Sequence, residues 1–323
     1  MRTSVVINSL LILALHASVT PARAGNGSDA SKVLSILSDA DISEYAIAFV
    51  NMSTAPGLEG ATLKIDNDQR HSDQWRSRLG FNAEFTLNDH IYNGYWGLAI
   101  VGGRLEDSIG FIEDNGEPVQ VDVTREVVGL RGSLGLSFPV DQYFKLRPFL
   151  SLILSNMENE IILDDQYVQN YNLPFNRLNG SAQMWSTVGS LEALYTRWYG
   201  NYQLQLSGQY HLNYTESFSE DNPILETEAW NDSAQLKTRF SGPTRLTWAG
   251  RPWQWNVYAH YTNFLSTSEA AVGYDDFFEI GGGLDWEINI KPLDWFGWRF
   301  LGIKVGVIVG DNVEGYSVGL TGR

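Results

Sequence analysis

Gln74-Trp75-Arg76-Ser77-Arg78-Leu79-Gly80-Phe81-Asn82-Ala83-Glu84-Phe85-Thr86-Leu87-Asn88 is the stretch that decides the fold. Trp75, Ser77, Leu79, Phe81, Ala83, Phe85 and Leu87 fall on one side of an extended chain. Gln74, Arg76, Arg78, Asn82, Glu84 and Thr86 fall on the other. Successive side chains of a strand point to opposite faces, so a period of two predicts a strand with one greasy and one hydrophilic side. The run is also long. Strands of soluble domains average about five or six residues, whereas a tilted membrane-crossing strand needs about 9–11.

The pattern returns along the chain. Val128, Leu130, Leu134, Leu136 and Phe138 alternate with Val127, Arg131, Ser133 and Ser137; Phe144, Leu146, Leu150, Leu152 and Leu154 alternate with Lys145, Arg147 and Ser151. Tyr202, Leu204, Leu206, Tyr210, Leu212 and Tyr214 oppose Gln203, Gln205, Ser207, Gln209, His211 and Asn213, and Ile280, Leu284, Trp286, Ile288 and Ile290 oppose Glu279, Asp285, Glu287 and Asn289. Strands are expected at 60–67, 74–88, 94–106, 119–138, 143–155, 184–199, 202–215, 233–248, 253–264, 277–290, 298–310 and 313–322. An even number of long antiparallel strands suits a closed transmembrane β-barrel, since hydrocarbon tolerates no unpaired sheet edge. Short connections (89–93, 139–142, 200–201, 249–252, 291–297) alternate with long ones (107–118, 156–183, 216–232, 265–276), as short periplasmic turns do with external loops. Gly200-Asn201 reads as a two-residue hairpin turn. Tyr92, Tyr95, Trp96, Phe138, Tyr143, Trp198, Tyr199, Tyr202, Trp253, Trp255, Trp295, Phe296 and Trp298 sit beside the short turns and are expected to form a periplasmic aromatic girdle.

Upstream the reading changes. Arg2, the apolar run Val5–Val19 and Ala22-Arg23-Ala24 before Gly25 form the pattern of a cleavable secretory signal over 1–24, implying Sec-type export. Loss of Arg2 and Arg23 with that leader takes the net charge from −16 to −18. Residues 25–57 carry Val33, Leu34, Ile36, Leu37, Ile42, Tyr45, Ala46, Phe49 and Val50 at roughly helical spacing. They are expected to form a short helical segment, either a lumenal plug or a periplasmic helix at the barrel mouth, ahead of a barrel over 58–323. The acidic balance argues against a nucleic-acid partner, and the absence of cysteine removes thiol catalysis and thiolate metal sites.

Phe277-Phe278-Glu279-Ile280-Gly281-Gly282-Gly283-Leu284-Asp285-Trp286, the closing Gly315-Tyr316-Ser317-Val318-Gly319-Leu320-Thr321-Gly322, and about twelve strands entered from a short helical segment carry a resemblance. Over roughly 28–323 the chain resembles the translocator domain of autotransporters, and more closely the solitary, passenger-free barrels of that type. The resemblance implies an integral protein of the Gram-negative outer membrane. Its partners would be outer-membrane lipid, lipopolysaccharide and the outer-membrane insertion machinery. Two departures stand out: too few residues precede the first strand to hold a passenger, and the chain ends Gly322-Arg323 where such barrels usually end in an aromatic residue.

If the apolar faces meet lipid, Arg76, Arg78, Glu84, Arg125, Arg131, Lys145, Arg147, Glu192, Lys237, Arg239, Glu279, Asp285 and Glu287 line the lumen. They would form either a charged, porin-like pore for small solutes or an interior filled by mutually paired charges. The long loops carry Glu113, Asp114, Glu117, Asp164, Asp165, Glu220, Asp221, Glu226, Glu228, Asp275 and Asp276, a candidate surface for external interactions. They contain no calcium-loop spacing, so no metal is expected. No cofactor is expected either. The H-x-S-N-G signature of outer-membrane phospholipase is absent. Ser207 and His211, four residues apart on one strand face, would lie roughly 13–14 Å apart, too far for a nucleophile and its base. No catalytic activity is expected.

Overall fold

The computed structural model describes residues 57–322 except 68–69, 88–91, 113–117, 164–178, 222–224, 267–273, 289 and 291–299. The leader, residues 25–56 of the expected helical segment 25–57, Trp295, Phe296 and Trp298 therefore lie outside the described residues, and Gly57 belongs to the first strand. Twelve strands are described: β1 (Gly57–Asn67), β2 (Arg70–Thr86), β3 (Asn93–Ile112), β4 (Pro118–Pro139), β5 (Phe144–Leu163), β6 (Gly180–Tyr199), β7 (Tyr202–Glu220), β8 (Glu228–Trp248), β9 (Arg251–Phe264), β10 (Asp276–Glu287), β11 (Phe300–Gly310) and β12 (Val313–Gly322). Each pairs antiparallel with its chain neighbours, and β1 pairs with β12 through Leu58↔Leu320 to Ile65↔Val313. The sheet is a closed barrel, so no strand presents an unpaired edge.

Residue parity then dictates the two surfaces. Leu134, Leu150, Leu152, Leu154, Ile303, Val305 and Val307 point outward and are exposed. Arg131, Ser133, Ser151, His211, Asp285 and Lys304 point inward and are buried. An outward belt of branched apolar side chains around a buried polar interior is the reverse of a soluble protein and is what hydrocarbon selects.

β3 and β5–β8 run several residues past the expected boundaries at the loop end, whereas β4 falls within one residue of them; along all six the outward face changes chemistry. On β3, Leu98 and Ile100 give way after Gly102 to Arg104 and Glu106; on β4, Leu130 and Val128 give way to Glu126 and Asp122. Arg104 bridges Glu106 at 2.8 Å and Glu126 at 3.2 Å across the strands. Ser108 donates to Asp122 at 2.6 Å. These pairs mark the end of the apolar belt. Beyond it the same ladder continues as a wall that is hydrophilic outside, and the connections shrink accordingly, 107–118 to 113–117 and 156–183 to 164–179.

The expectation of a single aromatic girdle needs correcting. At the tight-turn end, Trp248 packs on Trp286 at 4.5 Å, Tyr202 on Phe240 at 5.9 Å, and Tyr143 on Tyr195 at 6.2 Å. A second band lies at the loop end, where Tyr214 sits 5.4 Å from Trp185 and 4.9 Å from Trp230, and Tyr261 sits 4.6 Å from Phe278. Both edges of the belt thus carry amphipathic rings.

Tight turns hold one end together. Gly200 adopts φ 63° and Gly250 φ 74°, left-handed conformations that cost glycine nothing, which lets β6–β7 and β8–β9 reverse in two residues.

Candidate lumenal site

Interior charges are tied into two networks that follow the wall. In the first, Glu84 of β2 accepts from Lys145 Nζ at 3.0 Å, Ser137 Oγ at 3.1 Å and the guanidinium of Arg147. The other arm of Arg147 reaches Glu192 at 2.5 Å. Glu192 also accepts from Ser207 at 2.8 Å and Gln209 at 2.7 Å, and Lys237 donates to Gln209 at 3.1 Å. In the second, Glu59 of β1 bridges Arg78 and Lys304, each at 2.8 Å. Glu279 of β10 accepts from Tyr258 at 3.0 Å and Ser317 at 2.6 Å, with His260 3.8 Å away. Arg239 pairs with Asp285, which also accepts from Asn256 at 3.1 Å, and Arg125 pairs with Asp107 at 3.6 Å. A buried charge is expensive unless paired and hydrogen-bonded, so these partners are what make a charged interior tolerable.

Above the charges the interior turns apolar. Ala61, Leu63, Ile65, Val101, Leu105, Val127, Met157, Ala182, Met184, Phe264, Phe277, Ile308 and Val313 join Leu225 and Tyr274 from two loop-end connections in one buried cluster. Tyr274 donates its hydroxyl across the mouth to Gln74 of β2 at 3.0 Å. Phe264, Tyr274 and Phe277 pack with ring centroids 5.8–6.5 Å apart. The cause lies in the same inversion that ends the apolar belt. On β1 Leu63 and Ile65 turn in while Lys64 and Asp66 turn out, because beyond hydrocarbon the outside of the wall faces water.

The residues picked out by alternation fall as follows. Arg78, Arg125, Arg131, Glu192, Glu279 and Asp285 are buried on the inner face. Glu84, Lys145, Arg147, Lys237, Arg239 and Glu287 are partly buried there, and Arg76 is too, its guanidinium 5.4 Å from the ring of Phe277. Trp198, exposed at the end of β6, shares the parity of the inward Ser190 and Glu192, whereas Trp96, Tyr143, Tyr202, Trp253 and Trp255 lie on the outer face near the tight turns. Tyr95 does not. It is buried inside the barrel, packed on Phe149 at 5.4 Å with Arg147 4.6 Å from its ring. Nearness to a turn suggested the girdle, but in a strand parity outranks proximity, and Tyr95 has the opposite parity to Trp96. Glu59 and Lys304 were missed although they anchor the second network. Both sit in short strands rich in glycine and small residues, where alternation is thin. His211 meets Ser190 rather than Ser207: Ser190 Oγ lies 2.8 Å from Nδ1 across the β6–β7 pair.

No protein-family model and no curated protein matches the chain. Among solved structures, the β domain of the Bordetella autotransporter BrkA is similar over 83% of this chain and 98% of its own, at 13% identity and a TM-score of 0.47. The transport unit of the Escherichia coli autotransporter AIDA-I is similar over 88% and 99%, at 11% and 0.46. A Pseudomonas aeruginosa FadL homologue is similar over 81% and 76%, at 11% and 0.40.

Proposed function

We propose that this chain is an integral barrel of the Gram-negative outer membrane, autotransporter-like and without catalytic activity, whose lumen is a closed passage for small solutes. The proposal takes residues 1–24 as a leader, 25–57 as a plug or periplasmic segment and 58–323 as the barrel. It places the tight turns in the periplasm and the long connections outside, with outer-membrane lipid, lipopolysaccharide and the insertion machinery as general partners. The observation that carries the passage reading is the layering of the interior: paired charges toward the tight turns, an apolar cluster toward the loops. Water and ions cross an apolar constriction poorly, so a cap of Tyr274, Phe277 and Leu225 over a polar interior behaves as a closed gate.

Planar-bilayer recording of the purified protein tests it. The wild type is expected to rest closed with rare openings, and Tyr274→Ala with Phe277→Ala to raise open probability. A steadily open wild-type pore sinks the closed gate, and a variant as silent as the wild type sinks the passage. Repeating the recording with residues 25–57 deleted asks whether that segment contributes to closure. A second reading, an external interaction surface, is favoured by the wall that β3–β8 raise beyond the apolar belt, with Glu106, Asp122, Glu126, Glu158 and Glu160 on its outward face. Loop-dependent binding by a silent barrel would select it.

A further inference from the structure

The strand pair that closes the barrel leaves its register open to one particular error. β1 and β12 meet through the outward pairs Leu58↔Leu320, Gly60↔Val318 and Thr62↔Tyr316 and the inward pairs Glu59↔Gly319, Ala61↔Ser317 and Leu63↔Gly315. A slip of one residue would exchange the two faces of a strand, but a slip of two keeps each side chain on its own face. After such a slip Leu63 would oppose Val313 and Glu59 would oppose Ser317, so the apolar pattern alone does not forbid it. Glycine-rich strands are the ones prone to this error, and β12 carries Gly315 and Gly319.

Two interior contacts remove the ambiguity, each reaching over a strand. Lys304 of β11 crosses β12 to Glu59 of β1, with Nζ 2.8 Å from Oε2. Both residues are level with Gly319, where an added Cβ would lie 3.1 Å from Lys304 Cε. Ser317 of β12 crosses β11 to Glu279 of β10, donating at 2.6 Å. It is level with Gly306, where an added Cβ would lie 2.7 Å from Ser317 Oγ and 3.1 Å from Glu279 Oε1. The missing side chains at Gly319 and Gly306 are what give the two crossings room. Lys304, Ser317 and Glu279 are buried, and fixing register is the best-attested use of buried ionic contacts. A two-residue slip displaces a strand by about 6.8 Å. Lys304, carried with β12 on the hairpin that turns at 311–312, would then leave Glu59 with Arg78.

We infer that Lys304 and Ser317 form a latch that fixes the register in which the barrel closes, and through it the shear and width of the lumen. Lys304 holds the β11–β12 hairpin to β1, and Ser317 holds β12 to β10, so β12 slips neither with its hairpin nor alone. The latch stands apart from the passage reading, since it needs only the closed barrel.

Cysteine pairs read the register directly, because the chain has no cysteine of its own. Val318→Cys is combined with Gly60→Cys, its partner in register, or with Leu58→Cys or Thr62→Cys, its partners after a slip of two in either direction. Directly opposed residues, about 4.5–5.5 Å apart, come within reach of a disulfide, whereas diagonal ones at about 7–8 Å do not. The full chain in lipid vesicles is oxidised, and a link between β1 and β12 is read as faster migration of the boiled, unreduced protein. With the latch intact only the Gly60→Cys pair should link efficiently. In Lys304→Met, linking through Leu58→Cys or Thr62→Cys should rise about tenfold, the weight of one hydrogen bond to a charged group. Lys304→Arg should restore the single register. Lys145→Met removes an ion pair on β5 while leaving Glu84 with Arg147; it controls for general loosening and should leave the linking pattern unchanged. Heat-modifiable migration before oxidation checks that each variant is folded. Should Lys304→Met not fold, Lys304→Gln takes its place. A folded latch variant that links only through Gly60→Cys, or a Lys145→Met control that slips as readily, overturns the latch.

Discussion

Gly306 and Tyr258 show how closely the interior is fitted residue by residue. A Cβ added at Gly306 would lie 2.6 Å from the Tyr258 hydroxyl and 2.7 Å from Ser317 Oγ, two of the groups that serve Glu279. Gly306→Ala should therefore cost about 1–3 kcal/mol, the usual range for overpacking, read as a lower urea midpoint for unfolding from micelles. Gly132→Ala, where a Cβ meets nothing within 4 Å, is the control and should leave the midpoint unmoved. Arg147 is the sharper case because it serves two carboxylates, Glu84 and Glu192. Arg147→Met leaves both partly uncompensated and should cost about 3–5 kcal/mol. Adding Glu84→Gln and Glu192→Gln should recover much of that, since the penalty comes from stranded charge more than from a lost bond. At this scale the sequence was legible wherever a hydrophilic residue broke a strong apolar run, as at Arg131 or Arg147. It was not legible at Glu59 or Lys304, whose flanking Gly60, Gly302 and Gly306 carry no side chain to declare a face.

The elements are longer than hydrocarbon requires, and on β3 and β5–β8, though not on β4, that excess is where strand reading and structure part. β4 spans 22 residues, yet its outward apolar stretch ends at Val128, with Glu126, Thr124 and Asp122 following on the same face. An arginine on the lipid face at the midplane costs about 2–4 kcal/mol, falling toward zero at the interface. Leu134→Arg should therefore lower folding stability by that amount in lipid vesicles, and Thr124→Arg by less than about 0.5 kcal/mol. Equal penalties at the two positions would move the boundary and with it the explanation of the apolar cluster. Alternation alone located the strands within hydrocarbon, because there the two faces differ most. Past Glu106 or Glu158 the outer face becomes hydrophilic, so the contrast between the faces that marks a strand in hydrocarbon is lost and the stretch resembles a loop. β8 illustrates the opposite success. Its run continues through Gly242-Pro243 despite the missing amide. The structure accommodates the proline with a register shift before Thr247, where Thr244 Oγ1 donates to the carbonyl of Trp253 at 2.8 Å and accepts from the amide of Leu246 at 3.0 Å.

Closure fixes the molecule's polarity as a whole. Twelve antiparallel strands with β1 beside β12 bring both ends of the barrel to the side of the tight turns, the side that the proposed function places in the periplasm. The chain contains no cysteine, so single cysteines report topology without background. Asp221, exposed where β7 ends, and Gln142, exposed in the turn before β5, lie at opposite ends. In intact cells Asp221→Cys should react with a membrane-impermeant maleimide, and Gln142→Cys should react only after the outer membrane is permeabilised. The reverse pattern would invert the barrel, putting the apolar cluster at the periplasmic mouth and the paired charges at the cell surface. Labelling of both in intact cells would mean that the barrel does not seal a membrane in this arrangement, and neither the gate nor the direction of passage would survive it.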